Sequence, residues 1–186
     1  HRDKPRPLVL KMACHFVPLP PTIVPTPGAF MQRRTEPCGM NKPMKILLVN
    51  PNMTGAMTDR MAAIARANVP DDTQIVPLTA DKGFPYIASR AEAQISGAIA
   101  YEMIAAHADI ADAAVIAAFG DPGLAGAREL FDFPVVGMAE AALFSAAMLG
   151  ERISIVTFSP VMRRWFEDSV RAAGLMSRFA GVRTPD

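Results

Sequence analysis

Four short polar stretches in this 186-residue chain each follow an apolar run and carry the side chains best suited to chemistry: Asn50-Pro51-Asn52, Phe119-Gly120-Asp121-Pro122-Gly123, Gly137-Met138-Ala139-Glu140 and Thr157-Phe158-Ser159. The two asparagine amides can donate to a carboxylate, or hold their own turn through backbone hydrogen bonds. Asp121 lies among glycines at the approach to a helix, where free N–H groups and the helix dipole favour an anion such as a carboxylate or imide. It serves equally well as the cap of that helix. Glu140 is either a site carboxylate or a first-turn acid that complements the dipole. Cys14, His15 and Cys38 lack the close paired spacing of a zinc site, so no metal is expected. Neither phosphate-cradling pattern, a glycine-rich loop with Lys-Ser/Thr or G-x-G-x-x-G, follows the first apolar run, which removes the usual nucleotide site. His107 near a helix end reads as structural, and Trp165 as a packing or interface residue.

The elements that must position these stretches follow from periodicity. Residues 44–50 (MKILLVN) form a continuous apolar run ended by a turn and predict a buried strand. Thr54 is the expected N-cap of a helix reaching Asn68, with Met57, Met61, Ile64 and Ala65 on its apolar face. Residues 73–80 predict a second strand, with Pro77 arguing for a sheet edge or a strand end. Ser89, with Glu92 three residues on, has capping-box spacing for a helix to about Ala108, its apolar face formed by Ile95, Ile99, Met103 and Ile104. Further strands are expected at 112–119, 134–138, 152–158 and 179–184. Helices are expected at 123–131, 140–149 and 162–173, the last closed by Gly174. Strands alternating with helices predict an α/β fold with a doubly wound parallel sheet, whose ligands bind beyond the carboxyl ends of the strands. The four polar stretches all lie at such ends.

Composition divides the chain. Residues 1–43 hold nine of the 17 prolines, both cysteines and a charge of +5, whereas residues 44–186 carry 12 basic and 16 acidic side chains. A segment so rich in proline cannot bury enough surface to offset its ordering entropy, and 1–43 is expected to be a disordered leader. It is also expected not to be native to the folded protein, because Met40 or Met44 directly precedes the first strand. The acidic body gives no reason to expect nucleic acid, and the absence of a long apolar run argues against a membrane span.

Three segments, MKILLVNPNMT (44–54), VIAAFGDPGLAGARELFDFPVVGMAEAA (115–142) and ISIVTFS (153–159), together resemble the aspartate/glutamate/hydantoin racemase superfamily, in particular its hydantoin racemase branch. The resemblance runs over essentially all of 44–186. It implies two pseudo-symmetric Rossmann-like lobes with the site between them: 44–150 as the first lobe and 151–186 as the start of an incomplete second. It further implies inversion of an amino acid or hydantoin-like derivative by α-proton transfer, without metal, nucleotide or other cofactor, in a homo-oligomer; with no membrane span and no convincing export signal, a cytoplasmic location is expected by default. By position the binding residues would be Asn50, Asn52, Thr54, Ser89, Ala118, Phe119, Gly120, Asp121, Glu140, Thr157 and Ser159, orienting a carboxylate and stabilising enolate charge.

Inversion needs a base on each face of the carbon, and thiolates suit that task. The resemblance places the first catalytic cysteine at Ala118, where a methyl can neither take nor give a proton, and the second in the later lobe. No cysteine occurs between residues 44 and 186. The alternatives to a racemase are therefore a protein that binds a small acid without turnover, a one-base lyase or decarboxylase of the same superfamily, or an inactive fragment. A second lobe begun but not completed would leave apolar surface and a strand edge exposed, so self-association is expected.

Overall fold

A computed structural model of the protein describes residues 42–184. The expectations for the leader, including those for Cys14, His15 and Cys38, fall outside the described residues. Strand β1 (Met44–Asn50) lies between β2 (Thr73–Thr79) and β3 (Ala113–Ile116), with β4 (Val135–Gly137) beyond β3. All pairings are parallel, and the order is β2-β1-β3-β4. Pro77 sits opposite Leu48 on the edge strand β2, where its missing N–H leaves no partner strand unserved.

Alternate side chains of β1 enter two cores. Leu47 and Val49 pack with Ala114, Ile116 and Val135, under Ala100 and Ile104 of α2 (Arg90–Ala105) and Ala127 of α3 (Leu124–Leu130). Leu48 packs on the opposite face with Ile75 and Ala117, under Ala62 of α1 (Gly55–Arg66). Helices on both faces explain why 44–50 is continuously apolar rather than alternating. Each fully buried Leu, Ile or Val here contributes about 1.5–3 kcal/mol of transfer free energy.

A second, two-stranded parallel sheet joins β5 (Ile153–Val156) to β6 (Phe179–Arg183). Helices α4 (Met138–Leu149) and α5 (Arg163–Ala172) pack on it through Leu143, Met162, Phe166 and Val170 against Ile153, Ile155 and Val182. Gly174, in the left-handed region at φ +72°, ends α5: its N–H donates to the Arg171 carbonyl, and the Leu175 N–H reaches back to Val170. That paired closure is the Schellman arrangement, which favours glycine.

Two helix faces differ from expectation. On α1 the inward positions are Thr58 and Ala62, with Met61 and Ala65 partly buried, while Met57 and Ile64 are exposed. On α2 the buried face is Ala93, Ser96, Gly97, Ile99, Ala100 and Ile104, and Ile95 is exposed. On α2 the cause is close approach: a Cβ built on Gly97 would lie 3.0 Å from the Gly123 backbone, so small residues take the contact positions. Strand β3 is also shorter than the apolar run 112–119, since Ala117–Phe119 leave the ladder for the loop beyond it.

The two sheets are joined at the carboxyl ends of their strands. Phe119 meets Phe166 edge to face at 5.0 Å between centroids, and Tyr86 meets Phe158 at 5.1 Å. Arg90 at the start of α2 pairs with Asp168 of α5 at 2.5 Å. The apolar residues Phe144, Met148 and Leu149 of α4, and Val156, Phe158 and Val161, are exposed.

Candidate functional site

From β1 the chain crosses to β2 on one side, whereas β3 lies on the other, so the connections leaving β1 and β3 diverge and open a crevice at their carboxyl ends. Asn50-Pro51-Asn52 forms one wall of this switch point and Ala118–Asp121 the other. The Ala117 N–H still donates to the Val49 carbonyl at 2.7 Å, which holds the two walls together at their base.

The first wall is an interlocked hydrogen-bond system. Asn50 is fully buried and Asn52 nearly so, at 0% and 4% exposure. The Asn50 Nδ2 donates to Thr58 Oγ1 at 2.9 Å and to Asn52 Oδ1 at 3.1 Å, with a longer contact of 3.4 Å to the Thr54 carbonyl. Its Oδ1 accepts the Asn52 N–H at 3.2 Å. The Thr54 N–H donates to Asn52 Oδ1 at 3.0 Å. Thr79 Oγ1, at the end of β2, donates to Thr58 Oγ1 at 2.6 Å. Thr54 precedes α1 without a side-chain cap bond; its hydroxyl donates instead to the Pro85 carbonyl at 2.6 Å, tying this wall to the loop after β2.

The second wall turns sharply. Gly120 has φ +101° and lies beneath the indole of Trp165, so close that a methyl on Gly120 would fall within 3.0 Å of the ring. Asp121 follows at φ +51°, the one non-glycine residue with positive φ among the described residues. Its carboxylate accepts the N–H groups of Ala139 at 2.7 Å and Glu140 at 2.8 Å. Asp121 therefore caps α4, not the helix that follows it, and the anion favoured at that helix start is the protein's own. Burial pushes the Asp121 carboxyl above the usual carboxylate range, opposed by the two amides it accepts from. The hydrogen-bonded Arg128 guanidinium holds Glu140 below its ordinary value, at 2.5 and 3.2 Å, while Arg128 Nε donates to the Val135 carbonyl at 2.9 Å. Glu140 is thus turned toward α3 and the end of β4.

Ser89 caps α2, its Oγ accepting the Glu92 N–H at 3.2 Å; Glu92 Oε2 accepts from Ala88 at 2.6 Å, one residue before the partner that capping-box spacing predicts. Thr157 is buried, its N–H donating to the Arg183 carbonyl at 2.9 Å and its hydroxyl facing Met162 Sδ at 3.9 Å. Ser159 accepts the Met162 N–H at 3.3 Å through its carbonyl. Among the described residues no hydrogen bond joins Ser89, Thr157 or Ser159 to either wall. The structure interlocks Asn50, Asn52 and Thr54, and sets Phe119 and Gly120 against α5. His107 Nδ1 lies 2.9 Å from the Met103 carbonyl, a helix-end contact.

Several residues that shape these walls carry no sequence signal of their own. Thr58 and Thr79 appear as ordinary polar positions, and Arg128 as a surface base. Gly137 matters because a Cβ there would overlap the Asp121 carboxylate, at less than 3.0 Å. Ser96 Oγ is buried without a hydrogen-bond partner among the described residues. No cluster of three or more His, Cys, Asp or Glu suited to a metal occurs among them, and no helix there is long and apolar enough to cross a membrane. An open concavity of about 480 Å³, lined by Arg163, Glu167, Gly181, Arg183 and Thr184, lies at α5 and β6, apart from the β1 and β3 loops.

The sequence profile described as Asp/Glu/Hydantoin racemase matches residues 46–186. A hydantoin racemase from Pseudomonas sp. (strain NS671) is 39% identical over 142 residues, covering 76% of this chain and 57% of its own length. A hydantoin racemase from Paenarthrobacter aurescens is 35% identical over 145 residues, covering 77% and 61%. Among solved structures, allantoin racemase from Klebsiella pneumoniae superposes with a TM-score of 0.73 at 36% identity, over 76% of this chain and 58% of that one. The chain spans about three-fifths of the length of these relatives.

Proposed function

The chain belongs to the Asp/Glu/hydantoin racemase family, and from that membership we propose that its switch-point crevice holds a hydantoin-like amino-acid derivative for cofactor-independent proton transfer at the α-carbon. The observation that carries this reading is the pairing of two walls at one crevice: a β1 loop in which Asn52 keeps an amide nitrogen free of protein partners among the described residues, and a β3 loop bearing position 118. The amide is suited to a ligand carbonyl or carboxylate oxygen, and so to the enolate charge that develops there when the α-proton leaves.

On the Ala118 side the chain holds and orients the ligand, because an alanine methyl transfers no proton. We read residues 44–150 as the first lobe and 151–186 as the start of the second, in a cytoplasmic homo-oligomer that takes a small molecule rather than a nucleic acid.

Replacing Ala118 with cysteine tests the reading. In heavy water, proton resonances at C5 of hydantoin substrates report exchange directly. Ala118→Cys is expected to exceed the parent by about 100-fold, the low end of what a positioned base supplies. No exchange by the variant, together with no hydantoin-induced rise in melting temperature, would reject the racemase reading. A melting shift without exchange would favour a protein that binds a small acid without turning it over.

A further inference from the structure

We propose that Thr58 is a positioning residue of the ligand site: through Asn50 it fixes Asn52 so that Asn52 presents its amide nitrogen to an acceptor oxygen of the ligand. The choice of a hydantoin-like ligand rests on the racemase reading; the relay itself rests on geometry.

Thr58 lies in the first turns of α1 at 2% exposure, facing the sheet where its neighbour one turn on is Ala62. A threonine hydroxyl has two acceptor lone pairs. Here both have donors, Asn50 Nδ2 at 2.9 Å and Thr79 Oγ1 at 2.6 Å. Both N–H groups of the Asn50 amide are thus engaged, by Thr58 and Asn52, its oxygen accepts the Asn52 N–H, and the side chain is fully buried. With no donor left and no exposed surface, its part is to hold Asn52.

Asn52 differs. Its Oδ1 accepts from Asn50 Nδ2 and from the Thr54 N–H, so rotating the amide by half a turn would set its NH2 group against two donors. The orientation is therefore dictated by the network. The Nδ2 is the end without a protein partner among the described residues, on a side chain only 4% exposed. Unlike Ser96 Oγ, this nitrogen is not sealed from solvent, so an acceptor oxygen of a ligand can reach it. A carbonyl or carboxylate oxygen satisfies it; an ammonium group would repel it. Thr79 lends its proton from the edge strand, so the relay spans β2, α1 and β1 before reaching the ligand.

Calorimetric titration with hydantoin, alongside the melting temperature, tests the proposal. Thr58→Val keeps the shape and removes the acceptor; it is expected to weaken hydantoin binding about tenfold, the effect of one misplaced hydrogen-bond donor, and Thr58→Ser to restore affinity to within about twofold. If Thr58→Val does not fold, Thr79→Val on the exposed edge is expected to weaken binding about threefold. Binding by the folded valine variant equal to the parent's overturns the relay while leaving the racemase reading standing. Failure of the parent to bind hydantoin at all overturns both. Side-chain amide resonances give a readout that simple destabilisation would not move: hydantoin should shift the Asn52 pair and leave the Asn50 pair in place, and the reverse pattern would also sink the proposal.

Discussion

Gly120→Ala is expected to destabilise the protein by about 3 kcal/mol, roughly a 10 °C fall in melting temperature for a domain of this size. Two costs combine. At φ +101° an alanine is strained, and its methyl would enter the space of the Trp165 indole. Gly174→Ala separates them, because Gly174 also has positive φ, +72°, but a Cβ there meets nothing within 4 Å. That control should cost about 1 kcal/mol, from backbone strain alone. Urea denaturation followed by circular dichroism measures both; equal losses would mean that the indole yields freely and that this contact does not hold the β3 loop against α5.

A second large effect is expected at Gly137, where φ −91° suits any residue, so the cost of alanine is purely one of space. Its methyl would displace the Asp121 carboxylate from the amides of Ala139 and Glu140, removing two charge-assisted bonds at the start of α4. Loss of a helix cap of this kind costs about 2 kcal/mol. Asp121→Ala should lose a similar amount, and the double variant little more than either single one, since both remove the same interaction. Additive losses in the double variant would show that the two positions act independently.

Most of the scaffold was legible because the elements are local. The apolar run 44–50, the proline that suits the edge strand β2, the serine that caps α2 and the glycine that closes α5 each announce themselves within a few residues. Assignment of helix faces went wrong where large apolar side chains were counted. Ile95 points outward because the packed face of α2 needs Gly97 for close approach to Gly123, and Ile64 points outward while α1 buries Thr58 and Ala62. The partner of Asp121 was illegible for a different reason. It depends on β3 and β4 pairing in the register that sets Ile116 beside Gly137, which brings together groups 18 and 19 residues apart. Thr58 was hidden likewise, since Asn50 is eight residues away and Thr79 twenty-one. Family resemblance identified the crevice and the alanine at position 118, but not the contacts by which its walls are held.

Trp165 is the chain's single tryptophan, and it rests on Gly120, two residues from position 118. Its fluorescence is therefore an intrinsic optical sensor of the crevice, free of competing indole emission. Hydantoin entering beside position 118 is expected to change the emission maximum or intensity, and Trp165→Phe to abolish the signal without labelling any other part of the molecule. A flat titration under conditions where calorimetry detects binding would place the ligand away from the β3 loop. The same contact that joins the β3 loop to α5 thus makes occupancy of the crevice visible from the far side of the indole.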